Sequence, residues 1–349
     1  MKTYEVTIGI PVYNVEKYIR QTMYSALSQT FESIEFLICD DCGTDTSISI
    51  VEEYQKTHPR GKDIRILRQP HNMGIGEARN RMIEAAQGRY FYSLDADDMI
   101  SKNAIELLYG AAQKYQAEIV YGSYERLFVN GEKKRTVQYP YPFKVFTEPD
   151  EYAEYVYGVG IQGMNWNYLI DIDIIRRNHL RVTPVGHGYG EDFTFTVDLP
   201  TYITRAVLLP DITYRYYINE MMFTERRKKV INRTQMDIAI VTLEKKKWRK
   251  ELKGKPYYSM FCSKIMMYEF SFACQIVKRK GEPTPPYSNK EISDMLKFPM
   301  TLKEILHSKQ RRKNNLFYYV LGVLPSTLSV LLLRLYAKWF LDKKKKWYN

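Results

Sequence analysis

The apolar run Tyr90–Leu94 ends in Asp95, Asp97 and Asp98, three carboxylates within four residues. Like charges this close repel, so a cation or hydrogen-bond donors must sit among them. Carboxylate oxygens at a strand tip are hard ligands that suit Mg²⁺ or Mn²⁺. Mg²⁺ takes one or two protein carboxylates and fills its other positions with water and substrate phosphates, which points to a nucleotide diphosphate at such a site. The competing reading is structural, with Asp97 or Asp98 facing the dipole of the next helix. Glu191 and Asp192 form a second acidic pair after the Gly-rich stretch "VGHGYG". Adjacent carboxylates that titrate together are pushed toward neutral pKa values. Arg79 supplies a fixed cation with a fork of donors, suited to anions and equally to a salt bridge with Asp95 or Glu77. Cys39 and Cys42 form a C-x-x-C, but no second pair or nearby His completes a metal set. A buried strand-end Cys and a turn Cys is the expectation.

Placing these residues requires a scaffold. β-Branched and alternating residues mark "YEVTIGIPVYN" as a strand ending at Pro11. Ile19, Met23, Ala26 and Leu27 recur at helical spacing. A second strand runs into "CDDCGTDTS", and a helix over Thr44–Tyr54 starts at a Thr44 or Asp45 cap. "IRILRQP" is a third strand, "YFYSL" a fourth and "AEIVYGSYERLFV" a fifth. Between them lie a Gly-containing loop entering a helix at "NMGIGEARN" and a helix capped by Ser101. Helices are also expected near 148–157 and 170–178. Strands alternating with such helices imply a parallel α/β sheet. Ligands of open α/β sheets sit beyond the strands' carboxyl ends. That rule gathers Asp40, Asp41, Asn72, Arg79, Asp95 and Asp97 along one crevice.

The motifs resemble the family 2 glycosyltransferases, inverting enzymes of the GT-A fold that use nucleotide sugars. The resemblance covers roughly Thr7 to Tyr217 and rests on five elements in order: "IPVYN" at 10–14, "DDCGTDTS" at 40–47, "NMGIGEARN" at 72–80, "LDADD" at 94–98 and "GEDF" at 190–193. It implies a Rossmann-like, mostly parallel sheet flanked by helices. It places Pro11, Val12, Tyr13 and Asn14 beside the base of the nucleotide, with Asp40 or Asp41 hydrogen-bonded to that base. Asn72, Gly74 and Arg79 would support nucleotide and diphosphate. Asp95 and Ala96 would lie at the ribose or uridine, and Asp97 at a Mn²⁺ or Mg²⁺ ion. Inverting transfer needs a base opposite the diphosphate, and the resemblance assigns it to Asp192 with Glu191 as understudy. Cys42 and Gly43 stand where the family usually has Gly and Ser, and Tyr168 where it often has Lys. On the acceptor side, Trp166 either stacks on a sugar face or packs in the core. His187 is expected on an acceptor loop or facing solvent rather than as a ligand of metal or diphosphate. Arg215 and Arg226 contact diphosphate or belong to a solvated basic face.

The whole chain has 349 residues, 30 of them Tyr, and a formal net charge of +12. Its basic excess points to an anionic partner. Residues 1–222 are expected to form the GT-A domain, with a nucleotide-binding part at 1–125 and an acceptor part at 126–222. A basic helical extension follows at 223–315, then an amphipathic tail at 316–349. Leu316–Leu333 carries no charge but contains Pro325, Ser326, Thr327 and Ser329, with Lys/Arg clusters on both sides. Two-sided basic flanks favour a helix, or a Pro-bent helix pair, lying on an anionic membrane surface. Glu5 interrupts the N-terminal apolar run, so a first strand is expected there rather than a secretory signal. Four cysteines are too few for a disulfide framework and suit a reducing compartment. The expected location is cytoplasmic, peripheral on the inner face of the cell membrane.

The expected reaction moves a sugar from a nucleotide diphosphate donor, UDP-linked by the resemblance, to the hydroxyl of a saccharide or lipid-linked saccharide in surface polysaccharide assembly. A sugar-phosphate nucleotidyltransferase would carry a Gly-rich, Lys/Arg-bearing signature after the first strand, and "PVYNVEKYIR" lacks it. A non-catalytic basic module would explain the charge but not the ordered carboxylates, so no nucleic-acid partner is expected.

Overall fold

A computed structural model describes residues 4–130, 133–160, 164–183, 190–219, 232–279, 285–308 and 310–345. The chain divides into two compact units, residues 1–152 with 162–228, and residues 153–161 with 229–349.

Parallel strands covered on both faces read as continuous apolar runs. β1 (Tyr4–Val12) and β2 (Ile34–Asp40) have that pattern, and every residue of β2 is buried. The first unit continues with β3 (Ile64–Arg68), β4 (Gly88–Ser93), β5 (Met99–Ile100), β6 (Ile119–Asn130), β7 (Lys133–Tyr139), β8 (Lys144–Phe146), β9 (Tyr168–Asp171) and β10 (Ala206–Asn219). The strand order is β3-β2-β1-β4-β9-β6-β10-β5, with β7 on β6 and β8 on β10. β1 pairs in parallel with both β2 and β4. The winding therefore reverses between β1 and β4, and a crevice opens at such a switch point beyond the strands' carboxyl ends. The helices are α1 (Ile19–Leu27), α2 (Ser47–Thr57), α3 (Ile75–Ala85), α4 (Ala104–Tyr115), α5 (Glu151–Tyr155), α6 (Ile172–Arg177) and α7 (Glu191–Thr196). Ile8, Ile10, Met23, Phe36, Ile38, Tyr92 and Leu169 form part of one buried cluster.

Several local expectations shift. α4 starts after Asn103 rather than at Ser101, whose carbonyl accepts from Gln29 Nε2 at 2.7 Å. α2 starts after Thr46, and Asp45 accepts from the Ser47 N–H at 2.9 Å and the Glu16 N–H at 2.9 Å. Asp45 thus ties two turns together. The expected helix at 148–157 is split between α5 and a π-turn at Val156–Gly160. The one at 170–178 begins as strand β9, which pairs antiparallel with β4 and β6.

The third carboxylate of the acidic tip is structural. Asp98 is fully buried and accepts from the Tyr214 hydroxyl at 2.7 Å and the Tyr217 N–H at 2.7 Å. Thr22 Oγ1 donates to the carbonyls of Ala96 at 2.9 Å and Asp98 at 2.8 Å. These bonds fasten the tip of β4 to β10 and α1. Burial, and then the nearby Asp97 and Asp95, push the Asp98 pKa well up.

The second unit is helical: α8 (Arg233–Lys247), α9 (Tyr258–Lys278), α10 (Asn289–Met295), α11 (Leu302–His307), α12 (Arg312–Val323) and α13 (Ser326–Lys345). Capping boxes at Ser288/Glu291 and Thr301/Glu304 satisfy the first turns of α10 and α11. Lys247 is fully buried, and its ammonium sits 2.9 Å from Glu269 and 2.5 Å from Glu244. Pro325 separates α12 from α13, as expected of a Pro-bent pair. Both helices leave apolar side chains exposed: Leu316, Phe317, Val320 and Val323 on α12, and Leu328, Leu331, Leu332 and Leu335 on α13. Among the described residues no helix is long and apolar enough to cross a membrane.

Asp98→Ala strands the buried Tyr214 hydroxyl, at about 1–3 kcal/mol, and the part-buried Tyr217 N–H, which costs less. Urea unfolding should show that loss, and Asp98→Asn, which still accepts from Tyr217, should lose less. Wild-type stability in Asp98→Ala would refute the structural role.

Candidate active site

The crevice at the β1/β4 switch is built from turns that hold one another. At the tip of β1, Pro11 and Val12 are buried, while Tyr13 and Asn14 are exposed. Asn14 adopts a left-handed φ of 51° and its Oδ1 accepts from the Thr44 N–H at 2.7 Å. Asp40 accepts from the Cys42 N–H at 3.1 Å and from Arg68 at 2.9 Å. Asp41 reaches across to the next loop and accepts from the N–H groups of Met73 at 2.7 Å and Gly74 at 3.0 Å. Gly74 has φ +85°, a conformation that a side chain strains, and it opens α3. Asn72 is exposed and also accepts from the Gly74 N–H, at 3.1 Å. The Cys42 thiol donates to the Gln69 carbonyl at 3.0 Å and Cys39 is buried, so the C-x-x-C is a strand-end and turn pair.

Arg79 is the centre of the arrangement. Its side chain is 3% exposed, and its two terminal nitrogens lie 2.7 Å from Asp95 Oδ1 and 3.3 Å from Asp192 Oδ1. Burial pulls its pKa down, but Asp95, Asp192 and Glu191 outweigh that and hold it charged. One guanidinium thus joins the acidic tip of β4 to the acidic start of α7. Gly190 precedes α7 with φ +86°, and a Cβ there would meet the Phe193 ring at 1.6 Å. Burial is the main reason that Glu191 is pushed up to about 7, with Asp192 adding to it. Burial likewise pushes Asp192 up to about 6, opposed by Arg79. Both carboxylates are half-buried, so each stands between the core and the crevice.

Behind them, Arg79 Nε, Ser93 Oγ and both amide atoms of Asn165 are buried without hydrogen-bond partners. They line a cavity of about 10 Å³, the volume of one water.

The remaining sequence candidates fall in different places. Ala96 is buried in the core, and its carbonyl is taken by the Thr22 hydroxyl. Of the two readings of Trp166, the structure shows core packing. Its indole is 3% exposed, stacked on Tyr214 at 4.4 Å and edge-on to Tyr124 at 5.2 Å, and has no face left for a sugar. Tyr168 is buried in β9. Arg215 pairs with Glu125 at 2.5 Å. His187 and Arg226 lie outside the described residues.

The acidic tip divides its work. Asp95 is held by Arg79 and Asp98 by Tyr214 and Tyr217, while Asp97 is half-buried. Among the described residues no group of three His, Cys, Asp or Glu side chains is arranged to hold a metal. One carboxylate nonetheless fits a hard cation whose other positions belong to phosphate and water.

A family model described as glycosyl transferase family 2 matches residues 7–166, which contain the first four motifs. Residues 7–166 belong to glycosyl transferase family 2. The glycosyltransferase GlyG of Streptococcus pneumoniae serotype 4 is 34% identical over 119 residues, 34% of this chain and 38% of GlyG. Escherichia coli chondroitin synthase is 42% identical over 102 residues, 29% of this chain and 14% of that protein. The chain therefore spans well under half of either relative. A crystal structure of S. aureus TarS residues 1–349 in complex with UDP matches with a TM-score of 0.64 and 18% identity, over 91% of this chain and 90% of that one. The glycosyltransferase domain has the GT-A fold that the resemblance implies, followed by a helical C-terminal region.

The sequence offered Asp95 or Glu77 as a salt-bridge partner of Arg79, and the structure shows Asp95; the link to Asp192, which lies 113 residues away, had no signal in the sequence. Tyr214 and Asn165 were missed as well. The Asn165 backbone helps to lower the Asp192 pKa, and no local pattern marks that influence.

A carboxyl whose native pKa lies above its unfolded one favours folding below the unfolded value, near 4.5 for Glu191, and loses that contribution as pH rises through about 7. Glu191→Gln should therefore raise the melting temperature over wild type more at pH 8 than at pH 5. An equal change at both pH values would refute the raised pKa.

Proposed function

We propose that this protein is an inverting glycosyltransferase that moves a sugar from a UDP-linked donor to a hydroxyl of a saccharide or lipid-linked saccharide in polysaccharide biosynthesis. The observation that carries this reading is Arg79, which puts the tip of β4 and the start of α7 on one cation. Donor and base would then face each other across the crevice. TarS, which shares the fold, has been crystallised with UDP and with UDP-GlcNAc, and this supports a uridine donor.

The reaction is a single displacement. Asp192 accepts the proton of the acceptor hydroxyl. The acceptor oxygen attacks the anomeric carbon from the face opposite the diphosphate. The bond from that carbon to the diphosphate oxygen breaks, and its electron pair leaves with the nucleotide. A pKa raised to about 6 leaves Asp192 ionised at neutral pH yet more basic than an ordinary aspartate. Arg79 is a positioning residue, since its contacts are with the two carboxylates. Asp97 would hold Mn²⁺ or Mg²⁺, which when bound offsets charge on a leaving diphosphate. Asp41 holds the loop at Met73 and Gly74 against the nucleotide side, and Asp40 shapes the turn before it.

The exposed apolar faces of α12 and α13 are flanked by exposed Arg311, Arg312, Lys313, Arg334 and Lys338. Apolar side chains rimmed by cations match an anionic membrane surface. We place the protein there, on the cytoplasmic side, where free thiols such as its four cysteines persist.

Thermal melts with a panel of nucleotide sugars, with and without Mn²⁺, identify the donor, because a bound donor raises the melting temperature. Asp97→Ala should remove the Mn²⁺-dependent part of that rise. Asp192→Asn should lower kcat by about 10²–10⁴-fold and leave the donor-induced rise intact. Transfer by wild type, as kcat/KM, should fall as pH is lowered through about 6, where Asp192 protonates. Full transfer activity in Asp192→Asn would end the assignment of the base.

A further inference from the structure

The helical unit contains a cavity of about 160 Å³ with two cations in its wall and no carboxylate. Its polar lining is Ser263 and Lys264 of α9, with Arg311 and Asn314 at the start of α12. Tyr, Met and Val side chains complete the wall. Arg311 is held in place by a left-handed φ of 55° and by donation from Nη2 to the Gly158 carbonyl at 3.3 Å. Lys264 is half-buried, and its ammonium lies 5.7 Å from the ring centre of Tyr268. Burial first, and then Arg311, lower the Lys264 pKa, so the two cations repel. Arg311 is exposed at the mouth and Lys264 half-buried, and with no carboxylate in the wall an anion between them relieves the repulsion.

The cavity is also placed beside a candidate membrane face. Asn314 and Tyr318 of α12 line it, and they lie one turn apart. Phe317, three residues after Asn314, belongs to the exposed apolar strip. The cavity is well below the roughly 300–1,000 Å³ of sites for drug-sized ligands, so it suits a headgroup and excludes a nucleotide.

We propose that this cavity binds a phosphate ester, supplied by the headgroup of an anionic lipid in the membrane on which α12 and α13 lie. Lys264 and Arg311 flank the phosphate, Ser263 and Asn314 add hydrogen bonds, and the Tyr and Met walls take the glycerol carbons. The inference rests on the membrane reading given above and names the lipid chemistry for it.

The test uses the full chain with two probes. Phosphatidylcholine vesicles with and without phosphatidylglycerol report lipid binding by co-sedimentation. sn-Glycerol 3-phosphate reports the site in solution by thermal shift. Lys264→Gln/Arg311→Gln should weaken binding to the anionic vesicles by about tenfold or more and remove the glycerol phosphate response. Its melting temperature without ligand should stay close to that of wild type, because relief of the repulsion offsets the lost Arg311–Gly158 hydrogen bond. Arg312→Gln/Lys313→Gln, which removes the same charge outside the cavity, should lose much less. Equal losses in the two double variants would mean diffuse attraction and overturn the site. A glycerol phosphate response with equal vesicle binding by wild type and the cavity variant would overturn the lipid source. No response of wild type to either probe would overturn the phosphate assignment. The membrane reading fails separately if wild type ignores both vesicles while glycerol phosphate still stabilises it.

Discussion

A buried guanidinium shared by two carboxylates is the constraint on which the site depends. Arg79 is almost wholly removed from water, so its charge requires Asp95 and Asp192 close by. The fork of the guanidinium fixes directions as well as distances, which an ammonium would not. Asp95 belongs to the tip of β4 and Asp192 to α7, so a single side chain sets their separation. The same packing takes water away from Asp192 and Glu191 and moves both toward neutral pKa values. Structure and acid–base chemistry therefore arise from one desolvated cluster.

The crowding of three aspartates is resolved by giving each a different neighbour. Asp95 meets a cation, Asp98 meets a hydroxyl and an N–H in the core, and Asp97 stays half-buried at the crevice. The neighbouring turns follow the same logic. Asn14 ties β1 to the β2 turn, and Asp41 ties that turn to the start of α3. These side-chain bonds let irregular backbone hold its form where three strands end, so the crevice is preorganised without regular structure of its own.

In the helical unit the electrostatics run the other way. Lys247 lies buried between Glu244 and Glu269 and is matched. Lys264 and Arg311 both line a cavity without an acid in its wall. Beside them the apolar strips of α12 and α13 stay exposed. One cation of the unit is matched by acids, and this pair is left for a ligand to match, on the reading proposed above.

Much of the first unit was legible in the residues. Continuous apolar runs marked β1 and β2 because central parallel strands are buried on both faces. Motifs at strand ends located the crevice because side chains there have no core to enter. The Pro-bent pair was readable because Pro325 cannot continue a helix. Trp166 was not readable, since an indole suits a sugar face and a core equally, and only Tyr214 and Tyr124 decide between them. The start of α4 at Asn103 and the strand at 168–171 were settled by partners distant in sequence. Likewise residues 153–161 join the helical unit although the chain on both sides belongs to the other. By itself the sequence determined the parallel frame and which polar residues stand at its strand tips, because period, residue type and turn preference are local. Tertiary structure alone decided which carboxylate is buried, which is held by Arg79 and which two cations meet, because desolvation and charge pairing depend on distance in space.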